Sequence, residues 1–148
     1  MMARYREVFV QSPDPFERGV QHGTQVKNEI LAVIEGYKEL FSRGRGYTWN
    51  DLRDIAGRYV EPLSDEMADL LLEAKGIAEG AGVELADVMI LNTRYELLKF
   101  PKQQAECTGF AITPLATEGK ETIAGQNWDT QRFVGENVYV LHIDEANG

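Results

Sequence analysis

The 148-residue chain holds one cysteine and two histidines, so nucleophilic or metal chemistry rests on very few side chains. Cys107 stands with Thr108 where a polar stretch, Lys102-Gln103-Gln104-Ala105-Glu106, gives way to a segment rich in threonine, valine and aromatic residues. Further on, Gly125-Gln126-Asn127-Trp128-Asp129 closes the next β-like run. A lone thiol is either a small buried hydrophobe or a nucleophile. A cysteine that begins a chain carries its own base, because an α-amine titrating near about 7.7–8.0 can take the thiol proton without a histidine. That amine is masked while the bond from Glu106 is intact, so the chain must first be cut between Glu106 and Cys107. The thiol can do this itself by attacking the Glu106 carbonyl, giving a thioester that water opens. A polar segment ahead of a strand leaves the bond accessible and holds its far end. Glu106 either polarises a water in this scheme or is a solvated linker charge.

Other chemistries lack their residues. A catalytic zinc needs about three protein ligands, whereas His22 and His142 stand far apart with no CxxC or HExxH pattern. There is no GxxxxGK[ST] phosphate loop, Gly80-Ala81-Gly82 follows a helical rather than a strand pattern, and no GxSxG elbow occurs. The 24 acidic against 15 basic residues, a net charge of -9, oppose the field that nucleic acid or an anionic membrane attracts. A single cysteine forms no internal disulfide, the charged start Met1-Met2-Ala3-Arg4-Tyr5-Arg6-Glu7 is unlike a signal peptide, and no run has the length of a membrane span. A cytoplasmic protein without a metal is the expectation.

The elements that must position Cys107 are mostly helical. Tyr5 to Gln11 reads as a short strand closed by Ser12-Pro13-Asp14-Pro15. Asp14 as N-cap, Pro15 in the first turn and Glu17 three after the cap predict a box-like helix start. Phe16, Val20, Val26, Ile30, Ile34, Tyr37 and Phe41 form one apolar stripe to about Ser42, and the aromatic residues of this helix are expected in the core. Thr48-Trp49-Asn50-Asp51 has capping-box spacing, with Leu52, Ile55 and Tyr59 inward until Pro62 forbids further helix. A third helix from about Ser64 turns Met67, Leu70, Leu71, Ala74 and Ile77 inward and stops at Gly80 and Gly82. A fourth, about Glu84 to Lys99, carries Leu85, Val88, Leu91, Tyr95 and Leu98 and is closed by Pro101. Strands are expected at Thr108 to Thr113, Glu121 to Trp128 and Val138 to Ile143, with a turn at Thr117-Glu118-Gly119-Lys120. The chain ends in Asn147-Gly148, a strong hairpin signal with no strand after it, so the natural protein is expected to continue. The fold class is α+β, a single incomplete domain over 1–148, helical to about residue 100 and then strands of an incomplete sheet.

Five segments in order carry a family resemblance: Phe16-Glu17-Arg18-Gly19-Val20-Gln21-His22-Gly23, Gly76-Ile77-Ala78-Glu79-Gly80-Ala81, Leu91-Asn92-Thr93-Arg94-Tyr95-Glu96, Cys107-Thr108, and Gly125-Gln126-Asn127-Trp128-Asp129. Together they resemble the acyl-coenzyme A:6-aminopenicillanate acyltransferase family, also described as C45 peptidases, of the N-terminal-nucleophile hydrolase superfamily. The resemblance covers nearly the whole chain but only the N-terminal portion of such a protein. It implies a four-layer αββα sandwich, self-cleavage into a 1–106 helical α-chain and a β-chain that starts at 107, and an α/β heterodimer as product. It also implies transfer or hydrolysis of an acyl group held as a thioester on Cys107, acting on a small acylated substrate with no cofactor; acyl-coenzyme A would enter as a substrate. Asp129 would lie near the processing centre. The family's oxyanion-stabilising and other pocket residues fall beyond Gly148. Two departures stand out. Glu106 replaces the glycine of the penicillin enzyme, which bears on the strain and rate of self-cleavage, and Gly109 replaces a hydroxyl-bearing residue, so that processing is either slower or relies on Thr108 alone.

Each candidate also has a plain structural reading. Asp129 could cap the turn before Thr130-Gln131-Arg132, and Asn127 could satisfy backbone groups at the strand end rather than donate to an oxyanion. Trp128 reads as a core or pocket wall. His22 reads as a hydrogen-bonded helix residue, with Gly19 and Gly23 allowing close packing against the sheet. Arg94 and Glu96, two apart on a helix, are not expected to pair. The competing function class is a non-catalytic helical interaction module, or an inactive fragment related to the family.

Overall fold

The computed structural model describes residues 5–98 and 107–145. The expectations for Pro101, for the linker with Glu106 and for Asn147-Gly148 therefore lie outside the described residues. The predicted first strand is β1 (Arg6–Gln11), which alternates, with Val8 and Val10 buried and Glu7, Phe9 and Gln11 outward. Helix α1 (Pro15–Gln25) follows. The Asp14 carboxylate accepts the Glu17 amide at 3.0 Å, and Pro15 occupies a position whose missing N–H costs nothing. The return bond of a capping box comes from Ser12 instead of Glu17: the Ser12 hydroxyl oxygen accepts the Asp14 amide at 3.1 Å.

The single helix predicted to Ser42 is two. Val26 departs from helical geometry (φ -114°, ψ 26°), and α2 (Lys27–Arg45) starts after it. The pattern conceals the break because Val26, Ile30, Ile34, Tyr37 and Phe41 keep helical spacing and are all buried. Phe16, by contrast, is 40% exposed and is not core. Packing decides the break: α1 lies along α5 (Ala68–Ala81), while α2 also reaches α3 (Trp49–Gly57) and α8 (Arg132–Gly135).

The α1–α5 contact is made by backbone. A Cβ on Gly19 would stand 2.1 Å from the Glu73 carbonyl oxygen, and one on Gly76 would stand 2.1 Å from that of Phe16. Gly23 and Gly80 meet the Ile77 and Val20 oxygens at 2.2 and 2.3 Å in the same way. The contacts advance in one direction along both helices, so the pair is parallel, with side chains absent where the backbones touch. Gly19 and Gly23 do serve close packing, but against a helix and not against the sheet, because the complementary glycines lie on α5.

Thr48 opens α3 with the predicted capping box, its amide donating to Asp51 at 2.8 Å and its hydroxyl accepting the Asp51 amide at 3.2 Å. Pro62 does not end this helix. α3 stops at Gly57, and Pro62 sits in the first turn of α4 (Val60–Glu66), where no intrahelical N–H is required. α5 begins at Ala68, later than the Ser64 expected, and ends where Gly82 takes a left-handed conformation (φ 71°). Leu71 is buried as predicted, but Met67 and Leu70 are 47% and 62% exposed, and Leu70 lines an open apolar cleft with Pro62 and Leu63 instead of entering the core. The fourth predicted helix divides into α6 (Leu85–Asn92) and α7 (Arg94–Leu98). Asn92 and Thr93 cause this locally: their side chains donate to the carbonyls of Val88 (2.9 Å) and Met89 (2.8 Å), competing with the helix ladder.

The strands β2 (Thr108–Ile112), β3 (Ile123–Asn127) and β4 (Tyr139–Asp144) fall within two residues of the predicted bounds. They do not share one sheet. β4 pairs in parallel with β1, from Arg6↔Tyr139 to Gln11↔Asp144, and β2 pairs antiparallel with β3. The class is α+β, as the sequence implies. One core cluster joins Tyr37, Phe41, Leu52, Ala56, Met89, Ile90 and Leu97; the other joins Val8, Val26, Ile30, Ile34 and Ala81 under the β1–β4 pair. Asp87 ties α3 to α6, accepting Arg53 Nε (2.7 Å) and Nη2 (2.8 Å), Trp49 Nε1 (2.7 Å) and the Glu84 amide (3.0 Å). Burial pushes this carboxyl's pKa up, but those hydrogen bonds and the Arg53 charge outweigh it and hold it below the ordinary aspartate value.

Candidate functional site

Cys107 lies immediately ahead of β2 with its side chain exposed, so it is not the small buried hydrophobe of the plain reading. Antiparallel register pairs Thr108 with Asn127. The first residue of β2 and the last of β3 are therefore cross-strand neighbours, and Cys107, Thr108, Asn127, Trp128 and Asp129 gather at one end of the hairpin. Pairing alone achieves this. The Asn127 side-chain amide donates to the Asp129 carboxylate at 3.1 Å, so the two polar groups of the Gly125–Asp129 segment are already coupled. Asp129 is not the cap of α8, a position that Gln131 occupies. Gly125 has a structural explanation: a Cβ there would stand 2.6 Å from the ring of its cross-strand partner Phe110, which lies over it.

The segment after Asp129 is anchored to the helices. The Phe133 ring fills a notch at Gly36 on α2, where a Cβ would stand 2.3 Å from it, and meets Tyr37 edge-on at 5.0 Å between centroids. Asn137 Nδ2 donates to the Phe133 carbonyl at 2.7 Å and closes the short helix. Neither α8 nor this lock is among the sequence expectations; an interior glycine in a helix, Gly36, was the available signal. Trp128, 44% exposed, lines a cavity of about 330 Å³ with residues of α2, α6 and β4.

His22 behaves as the hydrogen-bonded helix residue expected of it. Its Nε2 and the Tyr139 hydroxyl are 2.7 Å apart and hydrogen-bonded, tying α1 to β4. Burial lowers the His22 pKa below its ordinary 6.5, partly opposed by the Glu73 charge. Burial and then the Glu29 charge raise that of Tyr139, against Arg6. Arg18, buried on α1, pairs with Glu73 at 3.3 Å and donates to the Ser12 carbonyl at 3.0 Å. Arg94 donates to the Leu91 carbonyl at 2.5 Å. Among the described residues no group of three or more His, Cys, Asp or Glu side chains is gathered as a metal ion would require, and no helix is long and apolar enough to cross a membrane.

No family model matches the chain. Over 129 residues it is 28% identical to the protein named acyl-coenzyme A:6-aminopenicillanic-acid-acyltransferase 40 kDa form of Emericella nidulans, a match that covers 87% of this chain. The chain spans only 35% of the length of that curated relative. The similarity is thus to the N-terminal portion of the acyltransferase whose family the five sequence segments resemble.

Proposed function

We propose that the chain is the first part of a self-cleaving cysteine N-terminal-nucleophile enzyme, an acyltransferase or amide hydrolase of small acylated amines. The observation that supports this reading is the Thr108↔Asn127 pairing, which brings an exposed cysteine and the hydrogen-bonded Asn127–Asp129 pair to the same end of the hairpin. In the processing step the Cys107 sulfur bonds to the Glu106 carbonyl carbon, the carbon–nitrogen bond breaks, and the thiol proton passes to the released amine. Water then opens the thioester, leaving a Glu106 carboxylate, a free Cys107 thiol and an α-amine that serves as base. In turnover the same sulfur takes the acyl group of a donor such as acyl-coenzyme A, expelling its thiol, and an amine or water removes it. Asp129 orients the processing centre through Asn127, and Thr108 supplies the adjacent hydroxyl.

The products would be a 1–106 α-chain and a β-chain that starts at 107, held as a heterodimer and completed by a remainder of the polypeptide. The surfaces are consistent with that. Phe9 and Val140 are exposed on the outer side of β1–β4, and Phe110, Ile112 and Ile123 are exposed on the hairpin. A following sheet layer of an αββα sandwich would cover them, since bare strands of this kind invite pairing. The same bareness favours one alternative, a non-catalytic helical module with a β appendage.

The deciding experiment is intact mass of a polypeptide extended past Gly148. Two fragments divided at Glu106-Cys107, abolished together with activity by Cys107→Ala, are expected; a fully active wild type with that bond unbroken would remove the proposal. Labelling by an electrophilic thiol reagent near pH 7 separates the alternative. An activated terminal cysteine reacts faster than free cysteine, whereas slower labelling of the folded protein favours the module.

A further inference from the structure

Met67, Leu70, Leu71 and Ala74 stand at i, i+3, i+4 and i+7, the spacing of a helix face that packs against a neighbour, yet Met67 and Leu70 are exposed. This face opens on a cleft of about 410 Å³ whose floor is Pro62 and Leu63 of α4, Leu70, Leu71 and Ala74 of α5 and Met89 of α6. Apolar surface continues beyond it, since Tyr59 before α4 and Leu72 on α5 are exposed as well. The rim is acidic. Glu96 of α7 lines the cleft, and Glu66 follows Tyr59, Pro62 and Leu63 at helical spacing on one face of α4. Between Tyr59 and Ala74 the chain carries Glu61, Asp65, Glu66, Asp69 and Glu73 and no lysine or arginine. Glu73 pairs with Arg18, while the other four are exposed. An apolar floor under an acidic rim selects a ligand of the converse arrangement. A second copy of the chain, at a net charge of -9, would set the same acidic rim against itself. An amphipathic helix with a basic polar face meets both demands, its apolar residues filling the groove and its cations reaching the rim.

We propose that this groove docks a basic amphipathic helix of a partner protein, with apolar residues over Leu63 and Leu70 and cations toward Glu66 and Glu96. No groove residue takes part in the self-cleavage proposed above, so the two readings stand or fall separately. The probe is a fluorescein-labelled peptide of about 18 leucine and lysine residues, long enough to hold a helix, with leucine at i, i+3, i+4 and i+7. Its control has the same composition in an order that scatters the leucines around the helix. Fluorescence anisotropy should show saturable binding of the first at least about tenfold tighter than of the second, weakening as salt is raised. Leu70→Glu should lower the affinity at least about tenfold although it adds a negative charge, with circular dichroism confirming its fold; Leu70→Ser replaces it if it does not fold. The double variant Glu66→Lys/Glu96→Lys should also lower the affinity and reduce its salt dependence. Phe9→Glu, on the outer side of β1–β4, should leave it unchanged. No saturable binding, equal binding of the two peptides, a folded Leu70 variant that binds as before, or an equal loss with Phe9→Glu would each overturn the proposal. So would a concentration-dependent dimer of the chain alone that Leu70→Glu dissolves, which gives the groove to a second copy. Peptide binding present in the 148-residue chain and absent from a polypeptide extended past Gly148 would give it to the remainder of the polypeptide and overturn the proposal likewise.

Discussion

At the scale of single residues, two side chains have sharply different duties. Cys107 is exposed, so Cys107→Ala should leave the melting temperature of the chain within about a degree or two while abolishing thiol chemistry; calorimetry beside intact mass reads both. Asp87 is the reverse case. It is 3% exposed and satisfies three partners. Asp87→Ala strands the Arg53 guanidinium and the Trp49 indole N–H, and a loss of about 2–3 kcal/mol in urea unfolding is expected, toward the low end for a broken buried pair because Arg53 keeps some access to water. Asp129→Asn keeps the shape but removes the charge that Asn127 faces. It should slow self-cleavage in an extended polypeptide without changing its fold, which time-resolved mass spectrometry would show.

Among the elements, the parallel pair α1 and α5 is the least tolerant. Adding one methyl group at Gly19 or Gly76 forces it into a carbonyl oxygen of the facing helix, and neither backbone can move without separating the pair. Gly19→Ala and Gly76→Ala are each expected to cost about 2–3 kcal/mol in denaturant unfolding, more than an ordinary surface Gly→Ala change, which would stabilise a helix. Gly36→Ala tests the other lock. Its methyl group would expel the Phe133 ring, freeing the segment from Trp128 to Asn137 while leaving the rest of the fold; hydrogen exchange there should accelerate with little change on α5.

For the whole molecule, pH acts through the joint between α1 and β4. His22 has its pKa lowered by burial, so the unfolded chain binds the proton more readily than the native one. The native state is therefore favoured fully above the ordinary value of 6.5 and loses that contribution as pH falls below it. Urea midpoints should decline between about pH 7 and pH 5, and His22→Gln, which cannot charge, should flatten the decline over that window. The β2–β3 hairpin contributes little to this balance, since none of its residues is buried.

Much of the local structure was legible without coordinates. Caps at Asp14 and Thr48, the stop at Gly82 and the three late strands follow from side chains acting on neighbouring backbone, and such interactions are written in short stretches of sequence. The candidate nucleophile was legible for the same reason, as one cysteine at a change of composition. What the stripe from Phe16 to Phe41 did not disclose was the break at Val26, because helical spacing survives a one-residue interruption and only the fit of α1 on α5 makes the interruption favourable. The pairing of β4 with β1 across the chain, the lock of Phe133 at Gly36, and the cavity beside Trp128 are likewise products of tertiary structure. Sequence by itself determined which residues could cap, turn or react; the burial of one element's surface against another, a property of residues far apart in the chain, decided where those residues meet.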